Sequence, residues 1–307
     1  MRWYWKQRSG YRHTGRRIVK LPAITYLSPF SIEETIALLD QHDGDAKILS
    51  GGQSLMPMLA FRLASCSILI DIKNINGLNE IVVSDRSVTL GARVRWRDIE
   101  QNTTLSVAHP LLVEAVKHVA HYAIRNRGTV GGSLAHGDPA SELPAVAVAC
   151  GAKINIIGPA GLRSVNAEDF FLAPLMTALE HNEMIVSLEL PAWPGDRRYA
   201  VKEFARRKGD FALAGAIVQF EMKDGCIDQP RIGAFGVGDQ PLRLSEAEGT
   251  LSGSPPNAEI FARAAAAGVA DLDIRSDIHA DANYRRALLE TLIMRALDEA
   301  HARRPHD

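Results

Sequence analysis

Apolar positions along this chain change their period several times, and each change marks an element. Ile36, Leu38 and Leu39 follow Ser31-Ile-Glu-Glu34. That tetrad is a capping box: Ser31 accepts from a first-turn amide and Glu34 reaches back to the Ser31 amide. It predicts a helix ending near Gly44. A short strand over 46–49 runs into Ser50-Gly-Gly-Gln-Ser-Leu-Met-Pro57, a glycine turn that opens a helix over 54–63. Residues 67–72 form a strongly apolar strand, and 78–83 with 87–92 read as a hairpin turned at Ser84-Asp85-Arg86. Pro110 suits the first turn of a helix through about His121.

A long polar stretch follows, Arg125-Asn-Arg-Gly-Thr-Val-Gly-Gly-Ser-Leu-Ala-His-Gly-Asp-Pro-Ala-Ser-Glu142, ahead of an apolar helix over 143–150. Strands are expected at 153–157 and 183–190. Pro191-Ala-Trp-Pro-Gly-Asp196 interrupts any element and marks a boundary. Beyond it, alternation predicts a strand over 212–223, a turn at Asp224-Gly225 and a return strand over 230–237. Helices over 257–270 and 283–302 close the chain, the last with Leu288, Leu289, Leu292, Ile293, Ala296 and Leu297 on one stripe. No internal repeat is visible.

The two glycine pairs, Gly51-Gly52 and Gly131-Gly132, lie 80 residues apart. Glycine lets backbone amides approach an anion without a Cβ in the way. A helix that starts just after such a turn adds unpaired amides and a positive dipole end. Ser50, Ser54, Thr129 and Ser133 add neutral hydroxyl donors. Either pair alone is a common turn signal. No GxGxxG after a first strand and no GxxxxGK[ST] is present, and Gly236-Val-Gly238 precedes no clear helix.

Charge and cysteine usage narrow the chemistry. The formal net charge is −1, which gives no reason to expect nucleic acid or an anionic membrane as partner. Cys66, Cys150 and Cys226 are too scattered for an iron–sulfur cluster or a disulfide framework. They point to small buried hydrophobes in a reducing compartment. The ten histidines form no HxxxH or HExxH pair, and no GxSxG is present. His136 and Asp138 are expected to orient their loop; Asp210 with Arg206 and Arg207 either lines a ligand site or forms surface pairs, and the surface pairs are the favoured reading. No apolar run reaches the ~18–20 residues of a membrane span. Residues 1–18 carry basic side chains without an acid, a basic extension expected to be disordered.

The two glycine motifs together resemble the flavin signatures of the medium subunit of carbon monoxide dehydrogenase, within the wider xanthine dehydrogenase family of molybdenum hydroxylases. Lys20-Leu-Pro-Ala-Ile-Thr-Tyr26, Glu183-Met-Ile-Val-Ser-Leu-Glu-Leu-Pro191 and Glu203-Phe-Ala-Arg-Arg-Lys-Gly-Asp-Phe-Ala212 match in order. The resemblance runs from about Val19 to the C-terminus. It implies an α+β fold: a two-subdomain FAD-binding module of PCMH type over 19–192, split into about 19–75 and 76–192. A C-terminal domain with a small antiparallel sheet and helices would span 197–302.

By the resemblance, Ser50, Gly51, Gly52, Gln53 and Ser54, with Thr129, Val130, Gly131, Gly132 and Ser133, hold the pyrophosphate and ribitol of FAD. Leu49, Leu55 and Met56 border the first turn. Ser141 and Glu142 contact FAD beyond the second pair, Ile185 or Val186 packs on the isoalloxazine, and Lys202 lies near the flavin ring. This sequence departs from relatives at Val201, where many carry an aromatic residue, at Glu142 in place of aspartate, and at Ser133 in place of asparagine.

The implied role is that of an FAD-dependent oxidoreductase subunit without catalytic acid–base residues or metal ligands of its own. Its partners would be a molybdopterin-containing large subunit and a small subunit with two [2Fe–2S] clusters, assembled as a dimer of heterotrimers. The location would be cytoplasmic, with the inner face of the membrane as an alternative. Two other readings stay open: a stand-alone FAD oxidoreductase of the vanillyl-alcohol oxidase type, and a flavin-free assembly subunit.

Overall fold

The computed structural model describes residues 21–303, so the basic extension lies outside the described residues. The fold is α+β, as expected. A three-stranded parallel sheet carries Ile68–Asp71 between Thr25–Leu27 and Ala46–Leu49. The central strand is the most apolar because neighbours flank it on both edges. Helix Ile32–Gln41 covers this sheet, and the Ser31 hydroxyl accepts from the Glu34 amide at 3.1 Å. The reciprocal contact differs from expectation: Glu34 accepts from the Phe30 amide at 2.9 Å, one residue earlier.

A five-stranded antiparallel sheet follows, in the order Ile81–Val83, Ser87–Gly91, Met184–Pro191, Lys153–Gly158, Gly161–Asn166. Helices Pro110–Val116 and Glu142–Cys150 pack over it, and residues 143–150 are all buried. The Pro110 helix stops five residues short of His121. Ala120 adopts φ +42°, and a separate turn, Tyr122–Arg125, resumes beyond it. The third sheet is antiparallel: Arg198–Phe204, Ala214–Lys223, Cys226–Phe235, Leu242–Arg243. Helices Ser245–Leu251, Ala258–Ala270 and Ala282–Ala302 cover one face. Strand Arg198–Phe204 and helix Ser245–Leu251 had no clear apolar period in the sequence.

The boundary segment is pinned rather than free. Trp193 packs at a tilt against His109 with ring centroids 4.9 Å apart and meets Tyr199 edge-on at 5.5 Å. Val201, Ile217 and Phe235 of the third sheet join the same buried cluster as Leu90, Val94 and Leu112. Gln219 adds a polar tie: its buried amide donates to Ala149 O at 2.8 Å. A satisfied buried amide of this kind fixes how the two packed surfaces register. Cys150 lies in this core, and burial pushes its thiol up to about 12, so it is an inert packing group. Among the described residues no helix is long and apolar enough to cross a membrane.

Candidate functional site

The two glycine motifs meet backbone to backbone. A Cβ on Gly51 would collide with Arg127 O and stand 3.0 Å from Gly128 Cα. Ser50 Oγ and Thr129 Oγ1 lie 3.0 Å apart, closing the contact with a hydrogen bond. Gly52 adopts φ +72°, a left-handed conformation that L side chains resist. Gly131 sits against Ala92, whose carbonyl accepts its amide at 2.8 Å.

One sequence expectation is corrected here. Gly131-Gly132 does not precede the helix Glu142–Cys150 as a long loop. It forms the first turn of its own helix, Val130–His136, with Thr129 as the cap: Thr129 Oγ1 accepts from the Gly132 amide at 3.2 Å.

A cleft of about 860 Å³ opens between these motifs. Its walls come from the Ser50–Leu55 turn, the Gly128–Ser133 segment, Ser141 and Glu142, and Ile185. Leu175, Met176 and Thr177 close one side, and Gly209, Asp210 and Phe211 reach in from the third sheet. The amides of Gly51, Gly52, Gln53 and Ser54 donate to no partner among the described residues. Four consecutive free amides at a glycine turn form an anion nest. The hydroxyls of Ser54, Ser133 and Ser141 are likewise without partners among the described residues. Lys47 is the one Lys or Arg among the described lining residues. A diphosphate here would be held by neutral donors rather than by cations.

Of the four carboxyls that line the cleft, Glu183 is tied down and Glu142 is raised, while Glu180 and Asp210 are not. Glu183 is clamped by Arg163, with both N···O distances at 2.6 Å. Burial pushes the Glu142 carboxyl up to about 7, and Asp138 adds to the shift. Burial lowers His136 below the usual histidine range, so it stays neutral. The pairing of Glu183 and the raised Glu142 reduce the negative charge that an anionic ligand would meet.

The other expected residues fall in several places. Leu49 and Met56 stand behind the first turn, 3.1 and 3.2 Å from where a Gly52 Cβ would be, and pack with Leu59, Cys66 and Leu69. Val130 is fully buried in the main core. Ile185 lines the cleft, whereas its neighbour Val186 packs on the first subdomain and its carbonyl accepts the Ala92 amide at 2.9 Å. Lys202 does not line the cleft; its ammonium is bound by Glu299 of the closing helix. Val201 is buried in the core. Asp210 lines the cleft rather than pairing with Arg206 or Arg207.

Trp96, His121 and Ile124 escaped the sequence reading. Gly128 carried the missed signal, since a Cβ there would press on the Trp96 indole nitrogen at 2.7 Å. A second signal was Gly209, at φ +84°, where a Cβ would come within 2.6 Å of the His121 ring.

Comparison with known proteins agrees with this geometry. Residues 22–193 match the FAD binding domain in molybdopterin dehydrogenase, and residues 199–300 match the CO dehydrogenase flavoprotein C-terminal domain. The nicotine 6-hydroxylase medium subunit of Paenarthrobacter nicotinovorans is 41% identical over 93% of this chain and 100% of its own length. The carbon monoxide dehydrogenase medium chain of Hydrogenophaga pseudoflava is 36% identical over 92% of this chain and 98% of its own. The solved carbon monoxide dehydrogenase of that organism superposes with a TM-score of 0.90 at 38% identity, covering 93% of this chain and 99% of that one. Quinoline 2-oxidoreductase from Pseudomonas putida 86 gives a TM-score of 0.88 at 37% identity, over 92% and 99% of the two chains. The chain therefore belongs to the molybdopterin dehydrogenase FAD-binding family, as an FAD-dependent oxidoreductase medium subunit of the molybdenum hydroxylase type.

Proposed function

We propose that this chain is the electron outlet of a molybdenum hydroxylase. It accepts electrons from the [2Fe–2S] clusters of a small subunit and passes them to an external acceptor. Substrate would be oxidised at a molybdopterin-containing large subunit, in a dimer of heterotrimers. We take residues 19–192 as the FAD module and 197–302 as the C-terminal domain, with a cytoplasmic site of action.

The observation that carries the reading is the run of four free amides at Gly51–Ser54, which lines one cleft together with Gly132. FAD, when bound, exchanges electrons singly or in pairs, which suits a junction between one-electron clusters and a two-electron acceptor. This chain's residues bind and position it. The amides of Gly51, Gly52, Gln53 and Ser54 hold the diphosphate, with Gly132 leaving room for its approach. Ser133 and Ser141 offer hydroxyls to the ribityl chain, and Ile185 presents an apolar wall to the ring. Leu55 closes the near side of the turn.

The test is anaerobic. The isolated chain, loaded with FAD, should show flavin bands alone and stay oxidised when the holoenzyme's substrate is added. With both partner subunits present, the same substrate should bleach the flavin. Direct bleaching in the isolated chain would favour a stand-alone oxidase. A chain that takes up no flavin, alone or assembled, would instead be an assembly subunit.

A further inference from the structure

The C-terminal domain contributes a buried carboxyl close behind the cleft, and the site described above does not use it. Glu203 lies on strand Arg198–Phe204, and its side chain is only 6% exposed. Its Oε2 has no hydrogen-bond partner. Buried carboxylates that serve structure are almost always hydrogen-bonded. The neighbouring acids obey that rule. Glu114 accepts the Val201 amide at 3.3 Å and pairs with Arg303 at 3.0 Å, and Glu299 binds Lys202.

Sheet register sets where Glu203 lies. It pairs with Gly215, which in turn pairs with Phe235. Gly236 then donates to Pro139 O at 2.9 Å, tying this end of the sheet to the loop that leads into Glu142. Glu142 lines the cleft. On the other side, His118 Nδ1 stands 3.6 Å from Glu203 Oε2, and the His118 side chain is 35% exposed. A solvent-touching imidazole thus stands beside a carboxyl with a buried, unpartnered oxygen, and the end of the sheet that carries this carboxyl is tied to the loop leading into the cleft-lining Glu142.

We propose that His118, Glu203 and Glu142 form a proton line from solvent to the inner wall of the FAD cleft. It rests on the reading that FAD occupies this cleft. Clusters deliver electrons without protons, so reduction of the cofactor needs a separate proton source. Glu142 gives up one proton as two electrons, from the partner's clusters or from dithionite, reduce FAD to FADH⁻. Glu203 reprotonates Glu142, and solvent restores Glu203 through His118. The uptake also keeps negative charge from building up beside Glu180 and Asp210, which line the same cleft.

The titration behaviour supports this order. Burial pushes Glu203 up to about 8, with Glu142 adding to the effect, and Glu142 itself is raised to about 7. Both carboxyls thus hold protons near neutrality and can release them. Burial lowers His118, which is also faced by Glu114 and Glu299 and by Lys202 and Lys208. A neutral imidazole at neutral pH is able to take a proton from water and hand it inward.

Glu203→Gln in the assembled complex is the test, because it keeps shape and removes the proton. Three results are expected. FAD content stays stoichiometric. The midpoint potential of the flavin, plotted against pH, loses its break near pH 8. Reduction by dithionite under anaerobic stopped flow slows roughly 100-fold, as for loss of a positioned proton donor. In the flavin-stripped chain, infrared titration should show a protonated-carboxyl band that disappears near pH 8 and is absent from Glu203→Gln.

His118→Gln gives an independent check: reduction should slow and recover on addition of imidazole. A wild-type potential curve and wild-type rate in both variants, with flavin bound, would overturn the relay while leaving the flavin reading intact. Failure of the wild-type complex to bind FAD would overturn both.

Discussion

Gly132→Val is expected to leave the chain folded and strip it of FAD. Gly132 is exposed on the first turn of helix Val130–His136, and a Cβ there would meet only Thr129 Oγ1, at 2.9 Å. Its backbone is not left-handed, so a β-branched residue is allowed and helix propensity barely changes. The local cost is confined to the cap. Thr129 Oγ1 accepts from the Gly132 amide and also bonds Ser50, and disturbing such a cap costs about 1 kcal/mol. The ligand loses far more. An isopropyl group would occupy part of the cleft that Gly132 shares with Gly51–Ser54, so the diphosphate would be kept off those amides.

Loss of about 3 kcal/mol of binding corresponds to roughly a 100-fold weaker complex. The ratio of flavin absorbance to protein, read beside the melting temperature, checks this. Stoichiometric FAD in the variant would show that the diphosphate does not pass Gly132. Gly249→Ala is the control. It lies on helix Ser245–Leu251 with nothing within 4 Å of its Cβ. It should gain up to about 1 kcal/mol of stability and keep its flavin. Gly51→Val would be less informative, since collision with Arg127 O would part the two motifs themselves.

Local signals in the sequence were enough for the strand–turn–helix units. The Ser31 cap, the strand Ala46–Leu49 and the turn Asp224-Gly225 all have their causes within a few neighbouring residues. The helix Val130–His136 does not. Val-Gly-Gly-Ser is a poor helix start by propensity. It is held as a helix because Val94 O and Ala92 O take the first two amides, at 2.9 and 2.8 Å, from elsewhere in the fold. Ile185 and Val186 were equivalent in the sequence, and only strand pairing assigns one to each face. The pairing of Lys202 was hidden for a related reason. Its partner, Glu299, is 97 positions away on a helix whose packing no local pattern reveals. Asp210 and Phe211 reach the cleft because Gly209 folds back over His121 at φ +84°. That approach is a tertiary fact, although the glycine that permits it was visible.

Arg285→Met should be the most destabilising single change in the C-terminal domain. Arg285 is 2% exposed on the closing helix Ala282–Ala302. Its guanidinium donates to Leu213 O at 2.7 Å, to Gly236 O at 2.6 Å and to Asp277 Oδ2 at 2.6 Å. Leu213 and Gly236 flank the strands that carry Gly215 and Phe235, so this one side chain fixes the end of the sheet nearest the cleft. Methionine matches the aliphatic stem but leaves two buried carbonyls without a donor, while Asp277 keeps only the amides of His279 and Ala280.

Two buried carbonyls left without a donor cost about 1–3 kcal/mol each, about 3–5 kcal/mol together, and the lost pairing with the exposed Asp277 adds little. For a chain of this size that corresponds to a fall of roughly 6–10 °C in melting temperature. Asp277→Asn should cost less, because Arg285 keeps both carbonyls. Asp277 also sets a pH signature. Burial alone would raise its carboxyl, but the amides of His279 and Ala280 and the Arg285 guanidinium outweigh it and hold the group at about 2. A depressed carboxylate stabilises the fold above its unfolded value near pH 4, and that contribution is lost as pH falls toward 2. Arg285→Met should therefore flatten the acid limb of the stability curve as well as lower its plateau. A variant that melts within 2 °C of wild type and keeps the same acid limb would mean that water replaces the guanidinium, and that the sheet end needs no such clamp.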